Sequence, residues 1–254
     1  MLVDLHVHAM AHGEYEHTYE NLRSFIKAAA AADIQVLGFA EHDWFVERFN
    51  PQVIYETALD HPEIKILMGM ELDHRIGGYN DAAEKTSRYP FDYVIGSVHE
   101  IGTWMFDHPN YTETFCEWNI DELYAEYFSL VEDMALSGLY DVVGHLDLIK
   151  VFGHRPVGDI RNFAEEALLL IKKKDMVVEV NTSGKYKPAG EAYPSTQLLV
   201  RCLSLGVPIT LGSDAHRPAH VGRTLKDSVV ELKEIGFREV VYFNQRRPVT
   251  CVLD

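Results

Sequence analysis

The sequence has little with which to staple itself, anchor itself or hold a polyanion. Its three cysteines, Cys116, Cys202 and Cys251, are odd in number, far apart and free of any C-x-x-C spacing. That excludes an evident disulfide framework and favours a reducing compartment. No apolar run approaches the roughly 20 residues of a membrane span, and no basic-then-apolar leader precedes the strand-like run at Leu2. Basic residues are in deficit. The 23 Lys and Arg face 39 Asp and Glu, for a formal net charge of −16. A non-specific nucleic-acid or anionic-membrane binder needs a basic face, so neither partner is expected. Phosphate chemistry stays open, because bound cations would place positive charge where it matters. There is no P-loop or other phosphate-cradling glycine run, no low-complexity tract and no Pro, Gly or Ser-rich linker. The expectation is a soluble cytoplasmic protein acting on a small molecule, with its oligomeric state left open.

What the chain does have is alternation. Short Val and Ile-rich runs recur as LVDLHVH from 2, QVLGFAEH from 35, IKILMGMEL from 64, FDYVIGSVH from 91, YDVVGHLD from 140, MVVEVNTSG from 176, VPITLGSDAH from 207 and EVVYF from 239. These are the lengths and compositions of strands buried on both faces. Helical spacing lies between them. Leu22, Phe25, Ile26, Ala29 and Ala30 form one stripe, and Ile120, Leu123, Tyr124, Tyr127, Val131 and Met134 form another that stops at Gly138. Asp159 is suited to cap a helix running through Ile171, and Leu198 to Leu203 lead to a stop at Gly206. Seven or so strand–helix alternations in 254 residues predict an α/β fold, a distorted (β/α)7 TIM-like barrel, as one domain over 1–254. Residues 100–118 are aromatic and loop-like, and read as an insertion after the fourth strand.

The ends of these runs carry chemistry. They deliver His6 and His8, then Glu41-His42-Asp43, Glu71, His99, His145, Asn181, and Asp214 with His216. Every run but the last ends in a potential ligand or hydrogen-bonding group. In a (β/α) barrel these ends converge on one mouth. His6 and His8 share a strand face, as alternate residues do, and Asp214 and His216 repeat the arrangement. A carboxylate such as Glu71, ending a buried apolar run, needs a cation or several donors beside it. Together these groups would crowd one mouth without a partner, so a metal site is predicted. Nine ligands are too many for one ion and generous for two; three ions fit, with Glu71 bridging a pair. Mixed imidazole and carboxylate donors suit divalent or mixed-valence Zn, Fe or Mn.

The motifs DLHVH, AEHD, GMELD, GSVH, GHLDLIK and GSDAH, in that order, resemble the polymerase and histidinol phosphatase (PHP) superfamily from residue 4 to about 222. GSVHEIGTWMFD, GHLDLIKVFGHRP and EVNTSGKYKP look like its histidinol-phosphatase branch. The resemblance implies a distorted barrel, a trinuclear centre and phosphomonoester hydrolysis. His6, His8, Glu71 and Asp214 would hold one metal, and Glu71, His99 and His145 a second. His42, His216 and one residue of the 12–17 loop would hold the third. AHGEYEH offers His12, Glu14 and His17 for that place, and counting back from the helix near Tyr19 favours Glu14, with His17 next. The chain departs from the pattern at EIG after GSVH and at AHVG after SDAHRP, both places where substrate would be sensed. The implied reaction is hydrolysis of L-histidinol phosphate in histidine biosynthesis. Two alternatives stay open: a phosphoesterase for nucleotides or another small ester, and a metal-binding module without catalysis.

A phosphate monoester dianion resists anionic attack, so clustered metals that bind its oxygens and acidify water suit the task without a protein nucleophile. Arg155 is the first choice for a guanidinium on the remaining phosphoryl oxygens, with a surface residue as its other reading. Lys150 and Lys185 are alternatives for the same work. His154 stands as leaving-group acid or exposed residue, and Asn181 as a ligand-orienting group or an Asx turn. In the insertion, Trp104, Phe106 and Tyr111 would wall an imidazole, and Glu100 or Asp107 would meet an ammonium group.

Overall fold

The computed structural model describes residues 1–253 as one α/β domain. The chain runs β1 (Val3–Val7), α1 (Tyr19–Ala31), β2 (Val36–His42), α2 (Pro51–Leu59), β3 (Lys65–Asp73), α3 (Tyr79–Ser87) and β4 (Tyr93–Ser97). The insertion follows as a small hairpin of β5 (Glu100–Ile101) and β6 (Trp104–Met105) and then helical turns over Pro109–Glu117. The rest is α4 (Ile120–Ser137), β7 (Val142–Val143), α5 (Ile160–Lys173), β8 (Val177–Asn181), α6 (Thr196–Leu205), β9 (Ile209–Gly212), α7 (Leu225–Ile235), β10 (Glu239–Asn244) and β11 (Arg247–Val252).

Seven strands form one parallel sheet in the order β1-β2-β3-β4-β7-β8-β9. The sheet curls until its two edges meet. His8 N donates to Ala215 O at 2.9 Å and Ala215 N to His6 O at 3.3 Å. This nearly closed barrel leaves little open edge and sends every strand's carboxyl end to the same mouth.

Helix boundaries follow local chemistry. Thr18 opens α1 by accepting from Asn21 N, and Leu22, Phe25, Ile26 and Ala29 are buried. Ala30, assigned to the same stripe from the sequence, faces solvent. Asn119 and Asp159 cap α4 and α5 with their side chains, and α4 and α6 stop at Gly138 and Gly206 in the left-handed conformation. The sequence reading did not find α2, α3 or α7. Asn50 followed by Pro51 marks the start of α2.

The run EVVYF is not a barrel strand. It forms β10, which pairs antiparallel with β11 and seals the amino end. Tyr93, fully buried at the start of β4, donates its hydroxyl to Leu5 O and stacks on Phe243 of β10 with ring centroids 5.7 Å apart. A Cβ at Gly69 would lie 2.4 Å from Tyr93 Cζ, so only glycine there admits this ring. Asp92 fastens the hairpin, its backbone and carboxylate oxygens accepting from Arg246 N and Gln245 N.

Candidate metal centre

At the carboxyl mouth the strand ends form three interlocked groups: His6, His8 and Glu71; Glu71, His99 and His145; and His8, His42 and His216. Within each, the donor atoms lie within 4.8 Å of one another. Asp214 joins the first group, its Oδ1 lying 3.4 Å from His8 Nε2 and 3.9 Å from His6 Nε2. Glu71, on β3, lies between the groups. Its Oε1 is 3.0 Å from His145 Nε2, 3.3 Å from His6 Nε2 and 3.6 Å from His99 Nε2, and its Oε2 is 2.8 Å from His42 Nδ1.

The donor atoms are also left bare. His6 Nε2, both ring nitrogens of His8, His42 Nδ1, His145 Nδ1 and Glu71 Oε2 are buried without a hydrogen bond. Buried polar atoms of native proteins are nearly always satisfied. Such a set of unsatisfied imidazole and carboxylate atoms, facing one another, fits divalent cations. Backbone strain is concentrated at the same place: His145 has φ 24° and Asp214 φ 55°.

Behind the donors stands a row of buried carboxylates that the sequence reading left unassigned. Glu179, inside β8, lies 2.7 Å from His6 Nδ1 and accepts from His145 N at 2.8 Å. It thereby sets the His6 tautomer, leaving Nε2 for a metal, and holds the strained His145 backbone. A Cβ at Gly212 would fall 1.9 Å from Glu179 Oε1, so glycine at the end of β9 is what lets the carboxylate through. Asp73 does for His99 what Glu179 does for His6, at 2.7 Å from Nδ1. Glu41 accepts from Ala9 N and Met10 N and so shapes the turn that follows His8. Asp4 accepts from Ser213 N and Oγ and from Gly222 N, tying β1 to the loop after β9. Burial pushes the Asp4 carboxyl up to about 6, against these donors. Asp4 and Glu179 are charges inside apolar runs, and Glu41 and Asp73 stand at the ends of theirs, which is the signal the sequence offers.

Electrostatics separates the histidines. Burial disfavours the His6 imidazolium, but Glu179, Glu71 and Asp214 outweigh it and hold the group well above its ordinary range. Burial, followed by His42 and His216, pushes His8 well below. Burial also opposes the charge on Glu71, yet His6 and His99 keep its carboxyl well below the usual range.

The 12–17 loop differs from expectation. His12 is the residue beside the third group, its ring 4.4 Å from that of His216 and 5.7 Å from that of His42. Glu14 is exposed, and its carboxylate accepts from His12 N. His17 has no nitrogen to spare: Nδ1 accepts from Asn50 N at 3.2 Å, so Nε2 carries the proton and donates to Glu41 at 2.9 Å. Counting back from α1 fails because Ala11, at φ 51°, and Gly13 turn the loop back over the mouth.

Several residues expected to meet substrate lie elsewhere. Arg155 pairs with Glu191 at 2.5 Å and donates to Ala189 O, outside the cavity above the donors. Lys185 pairs with Glu231 at 2.7 Å, and Glu100 pairs with Arg75. The Lys150 ammonium is fully buried between Asp147 and Ala192 O. His154 stacks on Phe115 at 4.3 Å, and Trp104 packs edge-on to Phe115 and donates to Tyr111 O. These aromatics hold the insertion together and do not wall the site. Asn181 is buried at the mouth. Its Oδ1 accepts from Ser183 N and Oγ, and its Nδ2 faces Asp214 at 3.5 Å. The cavity above the donors has a volume of about 420 Å³, and its rim carries Asp107, Tyr186, Lys187, Tyr193, His220 and Arg223.

A nearly closed parallel barrel with a clustered His and carboxylate centre at its carboxyl mouth defines the class. The chain belongs to the PHP domain family, whose model matches residues 4–183. Its relatives are more particular. It is 33% identical, over 96% of this chain and 98% of the other, to a Deinococcus radiodurans protein described as a probable histidinol-phosphatase. It is 27% identical, over 95% and 94% of the two chains, to the histidinol-phosphatase of Lactococcus lactis subsp. lactis. The crystal structure of histidinol phosphate phosphatase from Lactococcus lactis, complexed with zinc, L-histidinol and phosphate, matches with TM-score 0.80 at 25% identity and covers 98% of each chain. Among the described residues no helix is long and apolar enough to cross a membrane.

Proposed function

We propose that this protein is a metal-dependent phosphomonoesterase that hydrolyses L-histidinol phosphate to L-histidinol and phosphate. The observation that carries the reading is the set of three donor groups meeting at Glu71, with their buried nitrogens and oxygen unbonded. In this reading His6, His8, Glu71 and Asp214 hold one ion, and Glu71, His99 and His145 a second. His42 and His216, with His12 in the place first given to Glu14 or His17, hold a third. Zn, Fe or Mn suits these donors, and zinc is the metal in the Lactococcus lactis complex. Such ions supply charge neutralisation of a phosphate dianion and acidification of water when bound.

The chain's own residues do the rest. Glu179 and Asp73 keep the Nδ1 protons of His6 and His99 and aim each Nε2 at the mouth. Asn181 and Ser183 face Asp214 and fix its carboxylate. Asp107, presented by the insertion, is the anionic rim group placed to meet an amine, and Tyr186 offers its remaining ring face to an imidazole. The test is phosphate release from L-histidinol phosphate, a nucleoside monophosphate and an aryl phosphate, on protein of measured metal content. Strong preference for histidinol phosphate supports the full reading. Release only from the other esters retains the phosphomonoesterase and discards the biosynthetic role. Metal-replete protein that releases phosphate from none defeats it.

A further inference from the structure

Arg155 pairs with Glu191 and does not line the cavity above the donors. A different arginine stands in the cavity. Arg223, in the loop after β9, lines the same cavity as His42, Glu71 and Asp214. Its Cζ sits 3.0 Å over the centroid of the Tyr186 ring. Arg48, Arg75, Arg88, Arg155 and Arg201 each pair with a carboxylate. Arg223 pairs with none among the described residues.

That geometry has chemical content. A guanidinium whose central carbon lies over a ring spends one side on that contact, and the Arg223 side chain makes no hydrogen bond among the described residues, which keeps its N–H donors available. The stack is anchored to the centre. Thr182 Oγ1 donates to Arg223 O at 2.8 Å, joining the loop after β8 to the loop after β9. In the first of these loops Ser183 Oγ donates to Asp214 Oδ2 at 3.2 Å, and Tyr186 closes the same turn. The Arg223 backbone is thus tied to the short segment that also bonds Asp214 and carries Tyr186. Lys187, also on the rim, adds a second positive charge. A guanidinium with unbonded donors, in the cavity of the candidate metal centre and on a lining that also carries an ammonium, matches the non-bridging oxygens of a phosphate.

We infer that Arg223, clamped on Tyr186, is the guanidinium contact for the phosphoryl group of the substrate and for the phosphate product; this rests on the phosphomonoesterase reading above. The test combines calorimetric titration of the metal-loaded protein with inorganic phosphate and steady-state kinetics on an aryl phosphate. Arg223→Gln is expected to weaken phosphate binding and raise KM by about 10- to 100-fold, the loss typical of a charge-assisted contact. Metal content and thermal midpoint should stay unchanged. Arg223→Lys, which keeps the charge and loses the fork, should fall between. Tyr186→Leu should act in the same direction but less, with Tyr186→Phe recovering most of the loss. Phosphate affinity and KM within twofold of wild type in Arg223→Gln would overturn the assignment. A lowered thermal midpoint with unchanged phosphate affinity would also overturn it, making Arg223 a brace between loops. Wild-type protein that neither binds phosphate nor hydrolyses any ester would fail the underlying reading instead, which separates the two failures.

Discussion

At the amino end of the barrel, Tyr93 fills the interior, its hydroxyl satisfied by Leu5 O and its ring covered by Phe243. At the carboxyl end, a few residues along the same strands, His6, His8, His42 and His145 face one another with nitrogens that bond to nothing. One end uses volume and apolar contact. The other uses charges that burial alone would not tolerate. The contrast teaches that the barrel separates the work of staying folded from the work of the site, end from end along each strand.

Substitutions at the two ends should therefore fail in different ways. Glu71→Gln removes the carboxylate common to two donor groups and close to His42. Phosphate release is expected to fall by roughly a thousandfold or more, with metal content reduced and far-UV circular dichroism little changed. Full metal content with unchanged turnover would break the comparison. Tyr93→Ala, at the opposite end, should cost about 3–5 kcal/mol in urea unfolding, as large-to-small core changes do. Turnover per folded molecule should persist, and a stable but inactive variant would show that the ends are coupled.

Glu179→Gln tests the row behind the site. An amide cannot accept from His6 Nδ1 and His145 N as the carboxylate does. Metal affinity, measured by competition with a chelator, is expected to drop about 10- to 100-fold, the usual cost of disturbing a ligand's orienting partner. The smallest effect is expected at Arg155. Its ion pair with Glu191 joins two substantially exposed side chains. Arg155→Gln should change stability by less than about 1 kcal/mol and leave KM for phosphate esters unchanged; a large rise in KM would return Arg155 to the site.

The barrel and the first row of donors were legible in the sequence because each strand is one apolar run whose last residue breaks the pattern. Parallel connectivity then sends all those last residues to one mouth, with no long-range knowledge required. EVVYF follows the same logic in reverse: the run that ends without a ligand is the one outside the sheet. Glu179 and Asp4 were overlooked for a definite reason. They sit within runs, where strand periodicity says which face they occupy but not what stands opposite. The direction Arg155 takes is not written in its motif: a guanidinium's reach says nothing about where it points, and its partner Glu191 lies 36 positions away. The His12 placement depended on a left-handed turn at Ala11, a residue type that does not advertise one. Arg223 lay beyond the last motif, and its partner Tyr186 reaches it only through the loop after β8.

Glu71 also sets how exchanges at the mouth combine. Its two oxygens lie within 3.6 Å of nitrogens from His6, His8, His42, His99 and His145, which arrive on β1, β2, β4, β7 and the loops just past them. Residues that act through a shared partner combine non-additively. A first loss at any of these positions is severe, and after a loss at Glu71 a second has little left to remove. Exchanges at these five histidines are thus expected to combine far from additively in metal affinity, while Tyr93 and the β10–β11 hairpin hold the opposite end of the barrel independently of them.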